Sequence, residues 1–477
     1  MDISNKVNQK IKRGTLSLPR SGIVAAVVIT AALSACSSGG GGGGENSNDD
    51  SVVDTFGDTA NDNLVSNFPP EYITPAGVTE CSTEDINMRV DFDMRDYYIF
   101  YDQVPQLNLA EFESPESLIR DLRVDPDTFS FVADAQEQTD LVDNGLSGGF
   151  GFLFRFTQNG EVRAREIFLG SPADDAGMLR GDQLLRIDGI PFEELSEAEL
   201  DFAFDPNNAP INMTIRTGNE APRDVSVNFA DYFWQTAGPA VRFPGESVPT
   251  VGYLPIRRFL ETTEAEINRS LDFLRSGEGI DELVVDLRYN PGGRTHVARH
   301  IASVIGGAAV ENQVFLLRTW NDKYAENNSA DFFDSVESPM NLPRVYVLAT
   351  EFTVSASEAF INALEPYIDV IVIGGVTDGK PFTSNSRVYC GKSINAMRSV
   401  RTNALGVSVA GGIQPDCRVE DTWETTADSL SDPLLNGALS MIDRNTCPAP
   451  VLASVPAKQL GRNEFSYSDP QLPVSEE

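Results

Sequence analysis

Between residues 250 and 375, short apolar runs alternate with longer amphipathic stretches, and that alternation leaves few architectures open. Residues 251–256 read as a strand. Thr263 and Glu266 have the spacing of a capping box, so a helix is predicted from there to about Ser276, with Gly277 as its stop. Residues 283–287 are almost continuously apolar, as expected of a strand covered on both faces. A helix over 295–304, a strand over 345–349, a helix over 356–364 and a strand over 370–373 complete the series. Such repetition implies an α/β core, a mainly parallel sheet with crossover helices packed on it.

In sheets of this type functional groups gather in the loops that leave the carboxyl ends of the strands. Three such loops stand out: Asn290-Pro291-Gly292-Gly293, Thr353-Val354-Ser355-Ala356-Ser357-Glu358 and Thr377-Asp378-Gly379-Lys380. Each offers one part of an acyl-transfer site. Adjacent glycines leave N–H groups unshielded for an oxyanion. Ser355 falls at a strand-to-helix turn, where a helix N-terminus favours developing negative charge. Lys380 is the candidate base, and a lysine serves as one only when neutral. Its pKa must fall from about 10.4 toward roughly 7 to 8 through burial, so the site must disfavour the ammonium form by on the order of 4 kcal/mol. The apolar run 371–373 just upstream is a source of that desolvation.

These loops resemble the C-terminal processing, or tail-specific, serine peptidases, whose pattern is a DLR-x-NPGG segment, an SASE serine and a lysine 25 positions later in a GK pair. This sequence has Asp286-Leu287-Arg288-Tyr289-Asn290-Pro291-Gly292-Gly293, then Ser355-Ala356-Ser357-Glu358, then Gly379-Lys380, with the same interval of 25. The resemblance covers roughly residues 90–450. It implies a ClpP/crotonase-like peptidase core over 230–450, with Ser355 as nucleophile, Lys380 as base, and the N–H groups of Gly292 and Ala356 as the oxyanion hole. It implies neither a cofactor nor a metal. Two positions depart from the pattern. The glutamine that many members place four residues after the lysine, to orient it, is Ser384 here, and an aspartate found 11 residues after the serine in some members is Pro366, beside Glu365.

Upstream, residues 135–229 change to short strands and glycine turns. Gly149-Phe150-Gly151-Phe152 resembles the carboxylate-binding loop of PDZ domains, and Ser171 to Pro191 resembles their helix, Gly-Asp turn and following strand. In a PDZ loop successive N–H groups point at a peptide's terminal carboxylate while the peptide adds a strand alongside. The expected partner is therefore a polypeptide with an accessible C-terminus, its last side chain in an apolar pocket beside Phe150 and Phe152. Aromatic and leucine spacings over 76–134 predict a small helical domain.

The first 36 residues read as an address: Lys6, Lys10, Lys12, Arg13 and Arg20 precede a short apolar run that ends in Leu33-Ser34-Ala35-Cys36, which resembles a bacterial lipobox. The expectation is a lipid on Cys36 and a periplasm-facing membrane anchor, with Ser37 hinting at the outer membrane. Glycine- and Asn/Asp/Ser-rich residues 37–75 then form a flexible tether, and 451–477 a polar tail. Cys81, Cys390, Cys417 and Cys447 remain, an even number in a secreted chain. Three pairings are open; nearness in sequence favours Cys390 with Cys417, leaving Cys81 to Cys447.

With 71 acidic against 36 basic residues and a formal charge of -35, the chain repels polyanions, which argues against a nucleic-acid partner. Residues 374–380 fit the spacing of a phosphate loop, but Pro381 replaces the required Ser or Thr, so no nucleotide is expected. His296 and His300 are the only histidines, and no Glu follows the first, which removes a zinc-helix reading and leaves a Ser-His alternative. Ser357 is a second candidate nucleophile. The alternative in another class is a PDZ-bearing lipoprotein that binds protein C-termini with an impaired peptidase core.

Overall fold

The computed structural model describes residues 81–157, 160–244, 249–423 and 426–448. The leader with Cys36, the tether and the tail lie outside the described residues. Among those described, no helix is long and apolar enough to cross a membrane.

The core is a six-stranded sheet in the order Val241–Phe243, Val251–Pro255, Glu282–Asp286, Arg344–Ala349, Asp369–Gly374, Cys417–Arg418. All neighbours run parallel except the first pair. Side chains alternate between faces along each strand. Leu283, Val285, Val345 and Val347 turn toward helices Thr263–Arg275, Thr295–Gly306 and Ala356–Leu364. Val284, Tyr346 and Leu348 turn the other way, toward helix Pro433–Arg444. This double covering is why the strands read as unbroken apolar runs, and each fully buried Val or Leu contributes about 1.5 to 3 kcal/mol.

The capping box predicted at Thr263 does not form. Thr263 is the first helical residue, its hydroxyl accepting from Leu260 N at 2.8 Å, while Glu266 Oε2 accepts from Ala237 N at 2.7 Å. Both side chains fasten neighbouring loops instead of the helix start.

The sequence reading also passed over an antiparallel sheet of Ser329–Phe332, Val314–Trp320, Met397–Thr402 and Phe382–Ser384. Residues 397–402 carry Arg398 and Arg401, and both are buried.

The N-terminal residues pack against strands from later in the chain. Helices Thr83–Asp96 and Pro115–Leu122 start at Ser82 and Ser114, each accepting from a backbone N–H of the first turn. Strand Phe131–Asp134 then pairs with Lys392–Asn395. Val90, Met94, Leu118 and Leu122 share one apolar cluster with Phe382, Ile394 and Met397.

Residues 146–227 build a second, β-rich unit, with strands in the order Phe152–Phe156, Val162–Ile167, Gln183–Ile187, Ile211–Arg216, Arg223–Val227. Phe152–Phe156 is an edge strand of that sheet. Ser171 caps the short helix Pro172–Asp175, and Ser196 with Glu199 caps Glu197–Phe204.

The disulfides are Cys81–Cys390 and Cys417–Cys447, which overturns the pairing favoured from sequence proximity. Cys390 sits at the turn of the hairpin Arg387–Tyr389/Lys392–Asn395, against which the N-terminal segment packs, and Cys417 lies on the edge strand beside the last helix. Sequence separation does not report these tertiary neighbours. The Cys417–Cys447 bond closes a 30-residue interval. Replacing both cysteines with serine is expected to cost about 3 kcal/mol, read as a lower urea midpoint; an unchanged midpoint would show that the bond does not form.

Candidate active site

Parallel register brings the three loops to one sheet edge: Asp286 lies opposite Leu348, and Ala349 opposite Gly374. Ser355 stands immediately before helix Ala356–Leu364 with φ 59° and ψ -110°. A non-glycine residue in that region costs about 1 to 3 kcal/mol and persists only where its surroundings enforce it. Here the enforcing group is Glu358. Its fully buried carboxylate accepts from Ser355 N at 2.9 Å and Lys380 N at 2.9 Å on one oxygen, and from Thr377 Oγ1 at 2.6 Å and Gly379 N at 2.7 Å on the other. Burial pushes the Glu358 carboxyl up, and these four donors oppose that rise.

Part of Lys380 reaches the surface, but its ammonium is surrounded by protein. Desolvation first, and the Arg401 cation second, lower its pKa to about 8; Asp127, Asp378 and Glu358 pull the other way. Nζ lies 5.0 Å from the centre of the Phe129 ring. It makes no hydrogen bond among the described residues, Ser355 Oγ included. Catalytic hydrogen bonds are often long before substrate arrives.

The glycine turn lies against the helix start. A Cβ built on Gly292 falls 2.9 Å from Ala356 N and 2.9 Å from Ser355 Cβ. The Gly292 N–H, however, donates to Asn290 Oδ1 at 2.9 Å, so this predicted oxyanion donor is already engaged. Ala356 and Gly293 are the neighbouring amides without an acceptor among the described residues.

The remaining candidates separate. Ser357 Oγ is buried and donates to Asn290 O at 2.9 Å, which makes it part of the scaffold. Ser384 ends strand Phe382–Ser384 opposite Met397 and makes no hydrogen bond to Lys380. His296 meets Glu261 at 3.0 Å and His300 meets Asn268 at 3.4 Å, and neither is bonded to Ser355. Sequence reasoning missed Arg401, whose Nη2 donates to Ser355 Oγ at 3.2 Å.

The β-rich unit touches the same loops. Arg165 stacks on Phe352 at 4.1 Å and on Tyr289 at 5.1 Å, and Arg180 donates to Tyr289 Oη at 3.1 Å. Beneath them Arg288 pairs with Asp286 at 3.0 Å and Asp432 at 2.8 Å, a structural network inside the core. Phe150 and Phe152 stack on one another and meet Phe204 edge-on. Their rings belong to the unit's own core. The amides of Phe150 and Gly151 make no hydrogen bond among the described residues.

Fold and site together define a class, an α/β peptidase-type core joined to a PDZ domain. Residues 250–419 match peptidase family S41, 85–131 the N-terminal domain of that family, and 169–217 a PDZ domain. The PDZ match begins after the Gly149–Phe152 loop. A carboxyl-terminal-processing protease of Picosynechococcus is 28% identical over 243 residues, 48% of this chain and 54% of that protein. A carboxy-terminal-processing protease of Bartonella bacilliformis is 28% identical over 319 residues, 64% of this chain and 69% of that protein. The chain thus spans about half the length of the first of these relatives. A Bacteroides fragilis structure assigned to the S41 proteases superposes with a TM-score of 0.59 at 22% identity, over 74% of this chain and 96% of the other, a likeness of fold.

Proposed function

We propose that this protein is a serine endopeptidase that hydrolyses polypeptides recognised near their C-termini, through an acyl-enzyme on Ser355 with Lys380 as base. The observation that carries the reading is the lysine itself, a desolvated ammonium with its pKa lowered to about 8 on a loop that one buried carboxylate ties to the serine's own amide. Such a lysine is neutral often enough to act as a base near neutral pH, about a tenth of the time at pH 7. Ala356 N–H and Gly293 N–H supply the oxyanion donors in this reading, and Ser384, without a bond to Lys380, has no orienting part in the resting site. Edge strand Phe152–Phe156 and the amides of Phe150 and Gly151 supply the strand pairing and carboxylate recognition. The leader supports secretion and a lipid anchor on Cys36, with the enzyme facing the periplasm, from the outer membrane for preference.

Because the base works only when neutral, kcat/KM for a peptide substrate is expected to rise with pH through an apparent pKa near 8. A pH profile of a fluorogenic peptide assay tests it, with Lys380→Ala as control. A flat profile between pH 6 and pH 9, or wild-type turnover by the alanine variant, would exclude Lys380 as the base.

A further inference from the structure

The residue in contact with the reacting oxygen is Arg401. It projects from strand Met397–Thr402, outside all three active-site loops, and its side chain is 5% exposed. Its guanidinium is held at two further points: Nη1 donates to Thr295 Oγ1 at 2.9 Å and Nη2 to Phe382 O at 3.0 Å. Those anchors come from the helix after the glycine turn and from the strand after the lysine. They fix the planar fork so that Nη2 also reaches Ser355 Oγ at 3.2 Å. A lysine offers a point charge on a flexible stem and does not reproduce this fork.

We propose that Arg401 is a catalytic residue of this site, a permanent cation that holds the Ser355 oxygen and stabilises it as its proton leaves. The inference rests on the Ser355/Lys380 reading above. In acylation the Ser355 O–H bond breaks and its proton passes to the Lys380 nitrogen. The freed electron pair on Oγ forms the bond to the peptide carbonyl carbon, whose π pair moves onto the carbonyl oxygen. Collapse breaks the C–N bond, and the leaving amine takes the proton from Lys380. Arg401 keeps its own protons throughout, because a guanidinium does not titrate in this range. Its hydrogen bond strengthens as charge grows on Oγ, the condition under which an interaction lowers the barrier instead of only binding.

The same cation has a second effect. The charged groups facing Lys380 are Arg401 from the antiparallel sheet, Asp127 from the N-terminal segment, Asp378 from the lysine's own loop and Glu358 from the serine's helix. Desolvation is the larger cause that lowers the lysine, and Arg401, the cation among these groups, adds to it against the three carboxylates.

The test compares wild type, Arg401→Gln, Arg401→Lys and Ser355→Ala by pH-dependent peptide hydrolysis, with labelling by a fluorophosphonate probe. For Arg401→Gln we expect kcat/KM to fall about 100-fold at pH 7 and the rising limb of the profile to move upward by about one pH unit. For Arg401→Lys we expect a reduced kcat with the limb left at its wild-type position, since the charge remains. A fall in rate with an unmoved limb in the glutamine variant overturns the proposal and makes Arg401 a packing residue, as does wild-type activity. Hydrolysis and labelling that persist undiminished in Ser355→Ala would instead defeat the underlying serine reading, independently of Arg401.

Discussion

Ser355→Ala is expected to lower peptide hydrolysis by at least about 10⁴-fold while the protein stays folded. The change removes one oxygen. Alanine meets the same steric cost at φ 59° as serine does, and the amide of residue 355 still donates to Glu358. Arg401 loses its bond to Oγ and keeps Thr295 and Phe382. A casein or fluorogenic-peptide assay, with thermal unfolding alongside, separates chemistry from stability. Turnover within tenfold of wild type at an unchanged melting temperature would remove Ser355 from the mechanism, whatever the family resemblance.

The second large effect is expected away from the nucleophile, at Gly293→Ala. Gly293 has φ 131°, and a Cβ there falls 2.1 Å from the carbonyl oxygen of Phe259. Backbone cannot yield as a side chain would, so the turn must shift. The bonds at stake are Phe259 N to Gly292 O at 3.0 Å and Arg294 N to Phe259 O at 2.6 Å, which hold the turn to the strand-to-helix connection below it. We expect kcat to drop about 100-fold or more as the oxyanion donors leave position, with a stability loss of about 1 to 3 kcal/mol. Steady-state kinetics and urea unfolding measure the two losses. An alanine variant with normal kcat would show that this turn does not contribute to the reaction.

The parallel core was legible because burial on both faces writes itself into sequence as apolar runs. Residues 356–364 were predicted as a helix and are one, and the strands at 283–287, 345–349 and 370–373 lie within one residue of those observed. The three loops were legible for the same reason, since each follows one of those runs. What escaped had its cause in tertiary neighbours. Arg398 and Arg401 lie on opposite faces of one strand and both are buried, and alternation of hydrophobicity does not detect such a strand. The engagement of the Gly292 amide by Asn290, two residues earlier, depends on loop conformation that a motif does not encode. The disulfides misled because Cys390 and Cys417 are close along the chain and packed in different places.

The carboxylate of Glu358 gives the 25-residue interval between Ser355 and Lys380 a mechanical meaning. It grips the backbone at both ends of that interval, so the intervening chain is a closed circuit: helix Ala356–Leu364 leads away from the grip and strand Asp369–Gly374 returns to it. Nine helical residues cover about 13 Å and six extended ones about 20 Å, so a residue gained or lost on either leg slides one partner out of reach of the other. Length variation in relatives should therefore collect at the distant bend, residues 365–368, where the circuit reverses and neither end is disturbed. The interval is held in shape by a clasp, and a variant library of single insertions across 356–379 is expected to show loss of activity along both legs and tolerance at 365–368.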